Sequence, residues 1–473
     1  QHLRRKALEF IQGKKFKLLG DLFTVAISKF PNNPSFHCNR SYAFQKMEYY
    51  GKALDDANRA IALNERYKRA YHRRAAAYLG LGMIVNALED LEQLMKLCPK
   101  SKKIKCKYLH CQNALKKSMF DSSITDNMSD HAVEHLVNYK TISIEESYDG
   151  PRLRTEKITT SFLSTLTKYF QKGGVLHRKY VYKILFEVEV LLKTVPSLVN
   201  IELNGTEETL IVCGDIHGQY YDLSHILDRN GFPSNKLKYL FNGNFIGKGS
   251  FCVEVAILLF AYKLAFPEKF FLNRGHHETL AITKLFGFEK EVSIKYSPIM
   301  FQIFTRIFQW LPLAHCVNKK VLVLHGGLFS EDGVTLEHIR DLKRDLEPPQ
   351  GDQKITDMLW SDPQKEHGKQ KNFRGMGGIL FGPDVTEDFL NRNELIYIIR
   401  SHALVLQGIA EHHNGKCFTV FSAPNYCDTY DNKGSYIMLT GHDLVFSRVI
   451  TEAQRHPNIP ALHYADSIHR MLS

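Results

Sequence analysis

The stretch Cys213-Gly214-Asp215-Ile216-His217-Gly218 begins a segment with three polar loops, each placed behind a short apolar run. The second loop is Gly243-Asn244-Phe245-Ile246-Gly247-Lys248-Gly249 and the third is Arg274-Gly275-His276-His277-Glu278. The runs before them are Leu210-Ile211-Val212-Cys213, Tyr239-Leu240-Phe241 and Phe270-Phe271-Leu272. Short apolar runs ended by polar or glycine-rich turns predict buried strands. Val321-Leu322-Val323-Leu324, Ile396-Tyr397-Ile398-Ile399 and Phe418-Thr419-Val420-Phe421 end in the same way. Between residues 160 and 200 the apolar spacing becomes helical, with Phe162, Leu163, Leu166 and Tyr169, then Val181, Leu185, Val188 and Leu192. These helices are expected on the outside of a sheet whose strand ends hold polar groups rigidly.

Upstream of this region the chain repeats itself at a step of 34 residues. Ala7, Ser41 and Ala75 are small residues in register; Phe16, Tyr50 and Ile84 are bulky ones; Ala26, Ala60 and Leu94 follow, and Ala53 pairs with Ala87. A 34-residue period with small residues where two helices touch is the tetratricopeptide signature, and about three units suffice to bury a continuous seam. The predicted organisation is three repeats over residues 1–101, then a helical extension and linker over 102–150. The linker begins as a basic helix at Lys102-Lys103-Ile104-Lys105 and turns polar and aperiodic from Asp121. A second domain is expected over 151–455, and a tail with a short amphipathic helix over 456–473.

Composition narrows the classes. The 473 residues are 44% apolar, enough for a large core in two or three domains. No run of about twenty apolar residues occurs, so no membrane span is expected. The basic start lacks an apolar continuation and does not read as a secretory signal; a first residue other than Met suggests that the chain begins inside a longer product. Nine scattered cysteines without C-x-x-C pairs fit free thiols in a reducing compartment, so a cytoplasmic and nuclear location is expected. A net charge of +12 favours acidic partners or anionic ligands, and no recognition motif points to nucleic acid.

From Ile142-Ser143-Ile144-Glu145-Glu146-Ser147-Tyr148-Asp149-Gly150-Pro151 onward the chain resembles the metal-dependent serine/threonine protein phosphatases. The family-specific stretches include His325-Gly326-Gly327-Leu328-Phe329-Ser330-Glu331-Asp332-Gly333 and Phe421-Ser422-Ala423-Pro424-Asn425-Tyr426-Cys427-Asp428. Tetratricopeptide repeats in front of such a domain are similar to the type 5 group. The resemblance implies an all-α superhelix followed by a metallophosphatase β-sandwich flanked by helices. It also implies hydrolysis of phosphoserine and phosphothreonine by water activated between two divalent cations, Mn, Mg, Fe or Zn.

Carried over residue by residue, the resemblance implies Asp215 and His217 as ligands of the first ion, and His325 and His402 as ligands of the second. His277 matches the histidine that protonates the leaving oxygen, and Arg374 and Tyr426 match groups that shape the phosphate pocket. Four positions depart. Asn244 stands where the family has the aspartate that bridges both ions, and a neutral amide is a poor bridge. Gly247 stands where an aspartate orients the acid histidine. Lys248 replaces an arginine that holds phosphate and loses its fork geometry. His276 replaces an asparagine ligand of the second ion, and an imidazole there favours Zn²⁺ or Fe over Mn²⁺ or Mg²⁺. The expected outcome is weak or absent turnover, with occupancy of the ion sites in doubt. The rival reading is a non-catalytic adaptor that binds phosphoproteins.

In the repeats, Arg4, Asn39, Arg69 and Arg73 match the clamp that holds the terminal carboxylate of Hsp90-type chaperone tails. Leu8 stands where the clamp family has a further asparagine, which removes one donor. Glu48 matches an autoinhibitory glutamate that such repeats present to the phosphate-binding arginines.

Overall fold

The computed structural model describes residues 2–125, 137–348 and 351–465. The chain forms two compact units. The described part of the first is 2–125 with the short segment Asn372–Met376; that of the second is 137–348, 351–371 and Gly377–Ala465. The predicted terminal helix falls on residues 466–473, outside the described residues, apart from a turn that ends at Ala465.

The first unit is a run of antiparallel helices: α1 (His2–Gln12), α2 (Phe16–Lys29), α3 (Pro34–Lys46), α4 (Tyr50–Leu63), α5 (Lys68–Gly80), α6 (Ile84–Leu97) and α7 (Lys102–Thr125). The 34-residue step reappears in the helix starts, at Phe16, Tyr50 and Ile84 and again at Pro34, Lys68 and Lys102. The small residues in register are buried: Ser41, Ala53, Ala60, Ala75 and Ala87 are each fully inaccessible. Gly80 lets the Tyr50 ring cross close to the backbone, since a Cβ there would lie 2.3 Å from it. One contact repeats with the same period. Arg40 grips Asp56 through Nε at 2.7 Å and Nη2 at 2.8 Å, and Arg74 grips Asp90 through Nε at 3.0 Å and Nη2 at 2.6 Å.

The second unit holds β1 (Leu198–Ile201), β2 (Thr209–Cys213), β3 (Leu237–Phe241), β4 (Phe270–Leu272), β5 (Ala314–Val317), β6 (Val321–Leu324), β7 (Asp362–Pro363), β8 (Lys369–Lys371), β9 (Ile379–Phe381), β10 (Tyr397–Arg400), β11 (Ile409–His412), β12 (Cys417–Val420), β13 (Gly434–Thr440) and β14 (Val445–Thr451). Two mixed sheets, in the orders β1-β5-β6-β10-β12-β11 and β14-β13-β2-β3-β4, face each other. Alternate residues of each sheet fill the space between them: Leu210, Val212, Leu240, Ile437 and Leu439 from one, Val317, Val321, Val323, Ile399 and Val420 from the other. Helices cover the outside, including Thr160–Gln171, Arg178–Lys193 and the almost wholly buried Cys252–Ala265.

All six predicted strands are present, two of them displaced by one residue. β10 ends at Arg400, whose buried guanidinium donates to Gly326 O, Ser361 O and Asp362. An apolar pattern does not register such a residue. Part of the predicted linker packs on this unit instead: Glu145 bonds His177 Nε2 at 2.8 Å, and Lys179 donates to Ile142 O. Residues of the predicted tail do so too, with Ser250 donating to Pro460 O and Leu462 N–H to Lys248 O.

Candidate metal centre

β2, β3 and β4 are parallel neighbours, so the three loops that follow them emerge at one end of the sheet. β6 and β10, also parallel, deliver His325 and His402. A bridge between Asp215 and Phe421 ties one sheet to the other at this point. His217, Asn244 and His402 adopt positive φ of 51°, 50° and 68°. Such backbone is unfavourable for non-glycine residues and persists where surrounding structure over-determines it, typically at functional loops.

Two groups of side chains result. In the first, Asp215 lies between donors. Its Oδ2 accepts from Asn244 Nδ2 at 2.9 Å and faces His217 Nε2 at 3.1 Å, while Oδ1 accepts from the His402 backbone N–H at 3.0 Å. Burial works to raise this carboxyl, but the His217 bond and the nearby imidazoles hold it below the usual range. The Asn244 Oδ1 accepts from the His277 backbone N–H at 3.0 Å. Both polar ends of Asn244 therefore serve protein partners, and its NH₂ points at the carboxylate. Asn244, expected as a poor replacement for a bridging aspartate, turns its amide N–H rather than its oxygen toward Asp215.

In the second group, His276 Nδ1 lies 3.0 Å from His325 Nε2 and 3.0 Å from His402 Nδ1. All three residues are buried, and they form a possible metal-holding set among the described residues. Each is steadied from behind. His325 Nδ1 faces Asn242 O at 2.8 Å, and His402 Nε2 lies 3.7 Å from Asp362 Oδ2. The Trp360 ring centroid is 4.2 Å from that of His276. Burial pushes His325 down to about 4, against the pull of Asp215.

Glu278 was not singled out by sequence reasoning, yet it joins the loops. Its carboxylate accepts from the backbone N–H groups of Asn244 at 2.8 Å, Ile246 at 3.2 Å and Gly275 at 2.8 Å. Gly275 permits the close approach, because a Cβ there would meet Asn244 N at 2.3 Å. Burial nevertheless pushes Glu278 up to about 7. The sequence signal was an acidic residue directly after two histidines.

His277 lies against His217 at 4.6 Å and stacks on Phe286 at 4.9 Å. Burial, then His217 and Lys248, holds its imidazole well below the usual range. At Gly247 an added Cβ would lie 2.2 Å from His217 Nδ1 and 2.9 Å from His277 Nδ1, so the space of the family's carboxylate is filled by the His217 ring. Lys248 Nζ sits 5.0 Å from the Phe286 ring and 5.4 Å from the Tyr426 ring. Tyr426 in turn lies 4.9 Å from His217. Arg374 belongs to Asn372–Met376, which groups with the helical unit.

In that unit, Arg69 and Arg73 both act on the buried thiol of Cys38, which burial pushes up to about 11 against their pull. Arg73 also stacks over Tyr42 at 4.2 Å. Lys107 on α7, not anticipated, lies 2.8 Å from His72 Nε2 and is held down to about 8, mainly by burial and then by Lys103 and Arg73. Arg4 and Leu8 are exposed and Asn39 is half-buried. Glu48, with φ of 62°, sits in the turn between α3 and α4.

Residues 209–406 match the family model of calcineurin-like phosphoesterases, and residues 108–200 match that of the PPP5 TPR repeat region. Serine/threonine-protein phosphatase 5 of Homo sapiens is 43% identical over 99% of this chain and 93% of its own length. The chain belongs to the type 5 serine/threonine protein phosphatase family. Serine/threonine-protein phosphatase T of Aspergillus oryzae is 42% identical over 94% of this chain and 93% of its own. A solved serine/threonine phosphatase from Saccharomyces cerevisiae aligns with a TM-score of 0.62 at 39% identity, covering 65% of this chain and all of that one.

The metallophosphatase family implies divalent metal cofactors. In this type 5 homologue the residues present do not fit a two-ion centre. A bridging position requires anionic oxygen directed at both ions, whereas here Asn244 Nδ2 donates to Asp215.

Proposed function

We propose that this type 5 homologue keeps the phosphatase architecture without an operative two-ion hydrolytic centre, and acts as a binding protein. The observation that carries the reading is the Asn244–Asp215 bond at 2.9 Å, which turns an N–H toward the place where a shared anion is needed. Gly247 adds to it, since no carboxylate stands beside His277 to support its protonated form. Loss of that support alone costs on the order of 10²–10⁴ in rate. Lys248 and Tyr426, both buried, keep a cation and an aromatic ring where the resembled family holds phosphate. The basic face of the helical unit, with Arg4, Asn39, Arg69 and Arg73, suits acidic tails of the Hsp90 type that end in a free carboxylate.

Purified full chain assayed on a phosphomonoester with Mn²⁺, Mg²⁺ or Zn²⁺ tests the first part. Turnover at least about 100-fold below a relative with intact loops is expected. Turnover within about tenfold of such a relative, and lost on His277→Ala, overturns the reading. Combined reversion (Asn244→Asp, Gly247→Asp, Lys248→Arg and His276→Asn) is expected to restore activity only if the His217 ring moves away from position 247. For the second part, an acidic peptide with a free carboxylate should bind more tightly than its amide, and Arg73→Ala should remove the difference.

A further inference from the structure

We propose that His456 is a pH-operated clasp that fastens the segment 452–465 across the two loops carrying Lys248 and Tyr426. Strand β14 ends at Thr451, and the chain then runs back over those loops as far as a turn at 461–464. On the way the Gln454 N–H donates to Asp222 at 2.9 Å, Pro460 O accepts from the Ser250 hydroxyl at 2.6 Å, and the Leu462 N–H donates to Lys248 O at 2.7 Å. His456 adds the tie to the other loop, with Nε2 3.1 Å from Asp428 Oδ1. Asp428 ends the turn Tyr426–Asp428, in which Asn425, Cys427 and Asp428 have positive φ of 44°, 57° and 52°. Such backbone persists where neighbouring contacts hold it. Opening the clasp lets the turn relax, and with it Tyr426, whose ring stands 5.4 Å from Lys248 Nζ.

The surroundings of the ring set its charge. Nδ1 lies 2.8 Å from Pro457 O and Nε2 faces the Asp428 carboxylate, so both nitrogens meet oxygens that only accept. A neutral imidazole has one hydrogen and serves one of them; the imidazolium serves both. The titratable groups facing the ring are Tyr221 and Asp222, from the helix Tyr220–Asn230, and Cys427 and Asp428, from the turn. None of the four is a cation. On its own segment, Glu452 is paired with Lys433 and Arg455 is exposed. Burial works to lower the imidazole, but the bonds to Pro457 O and Asp428, with Asp222 nearby, hold it above the usual range. A folded value above the unfolded one of about 6.5 means that the clasp is fully closed below that pH and opens as pH rises through the folded value.

The clasp needs neither hydrolysis nor a metal ion, so its test is separate from that of the preceding reading. Hydrogen exchange of the full chain, followed by mass spectrometry and corrected for open-chain rates, is compared at about pH 6 and about pH 8.5. Peptides covering 425–430 and 453–465 should exchange roughly two- to fivefold faster at the higher pH, the worth of a partly exposed ion pair, while the helix Cys252–Ala265 should not change. His456→Gln should give the faster exchange at both pH values. Asp222→Asn should keep the response, which assigns it to the imidazole and not to the buried carboxyl. Equal protection of the wild-type peptides at both pH values, a response that survives in a folded His456→Gln chain, or one abolished by Asp222→Asn overturns the proposal.

Discussion

Position 247 shows how a small change is absorbed by neighbouring side chains. The His217 ring fills the space beside Gly247, and Nδ1 of that ring has no hydrogen-bond partner among the described residues. Gly247→Ala should therefore destabilise the sandwich unit by roughly 1–3 kcal/mol, through overpacking against His217 added to the strain of a side chain at φ 157°. In a His217→Ala background the same change should cost less than half as much; a double-mutant cycle with no coupling would refute the account. Asp222 offers a pH test away from the histidines. It accepts from Gln454 N–H and Gln219 Nε2, and burial pushes its carboxyl up to about 6, with His456 opposing and Asp428 adding to the rise. A folded value above the unfolded one means that the native state holds the proton more tightly. That stabilisation is complete below the unfolded value of about 4 and is lost as pH rises through about 6. Asp222→Asn should flatten this part of the profile, measured by denaturant unfolding at each pH.

At the scale of elements, the helical repeat is held by more than small residues at helix crossings. Arg40–Asp56 and Arg74–Asp90 place the same two-pronged ion pair between successive helices, with each aspartate nearly inaccessible. Removing one partner leaves a buried charge uncompensated. Arg74→Ala, which strands the Asp90 carboxylate, should cost about 3 kcal/mol, read as earlier exposure of Ile84–Leu97 in hydrogen exchange. Among the loops, Glu278 plays the corresponding part by accepting three backbone N–H groups from two of them. It ties Asn244 and His276 together through the backbone, which explains why the loops hold their arrangement although their side chains differ from the family pattern.

At the scale of the whole molecule, the helical seam around Ala75, Leu91 and Leu94 and the sandwich core around Val212, Val323 and Ile437 are separate apolar clusters. Separate cores do not unfold as one cooperative unit. Calorimetry of the full chain should show two transitions. Arg74→Ala should lower one of them, and Glu278→Ala the other; a single transition shifted by both variants would refute this. Among the described residues no helix is long and apolar enough to cross a membrane.

The repeat and the strands were legible in the residue order because both are periodic. A step of 34 places small side chains at successive helix crossings, and apolar runs such as Val321–Leu324 that end at glycine need nothing distant to be recognised. Strand β5 was not legible, because His315 breaks its apolar run; the buried imidazole is satisfied by Asn273, just beyond β4 of the facing sheet. The substitutions at 244, 247, 248 and 276 were visible in the same way, as departures from a resembled pattern. What each substitution does was decided only by the folded chain. Residues more than a hundred positions apart, such as His276 and His402, meet at the ends of strands whose order does not follow the sequence. Whether Asn244 turns its oxygen or its nitrogen toward Asp215, and whether a third imidazole closes on the other two, depends on contacts with His277 N–H, Asn242 O and the Asp362 carboxylate that converge only when both sheets have packed.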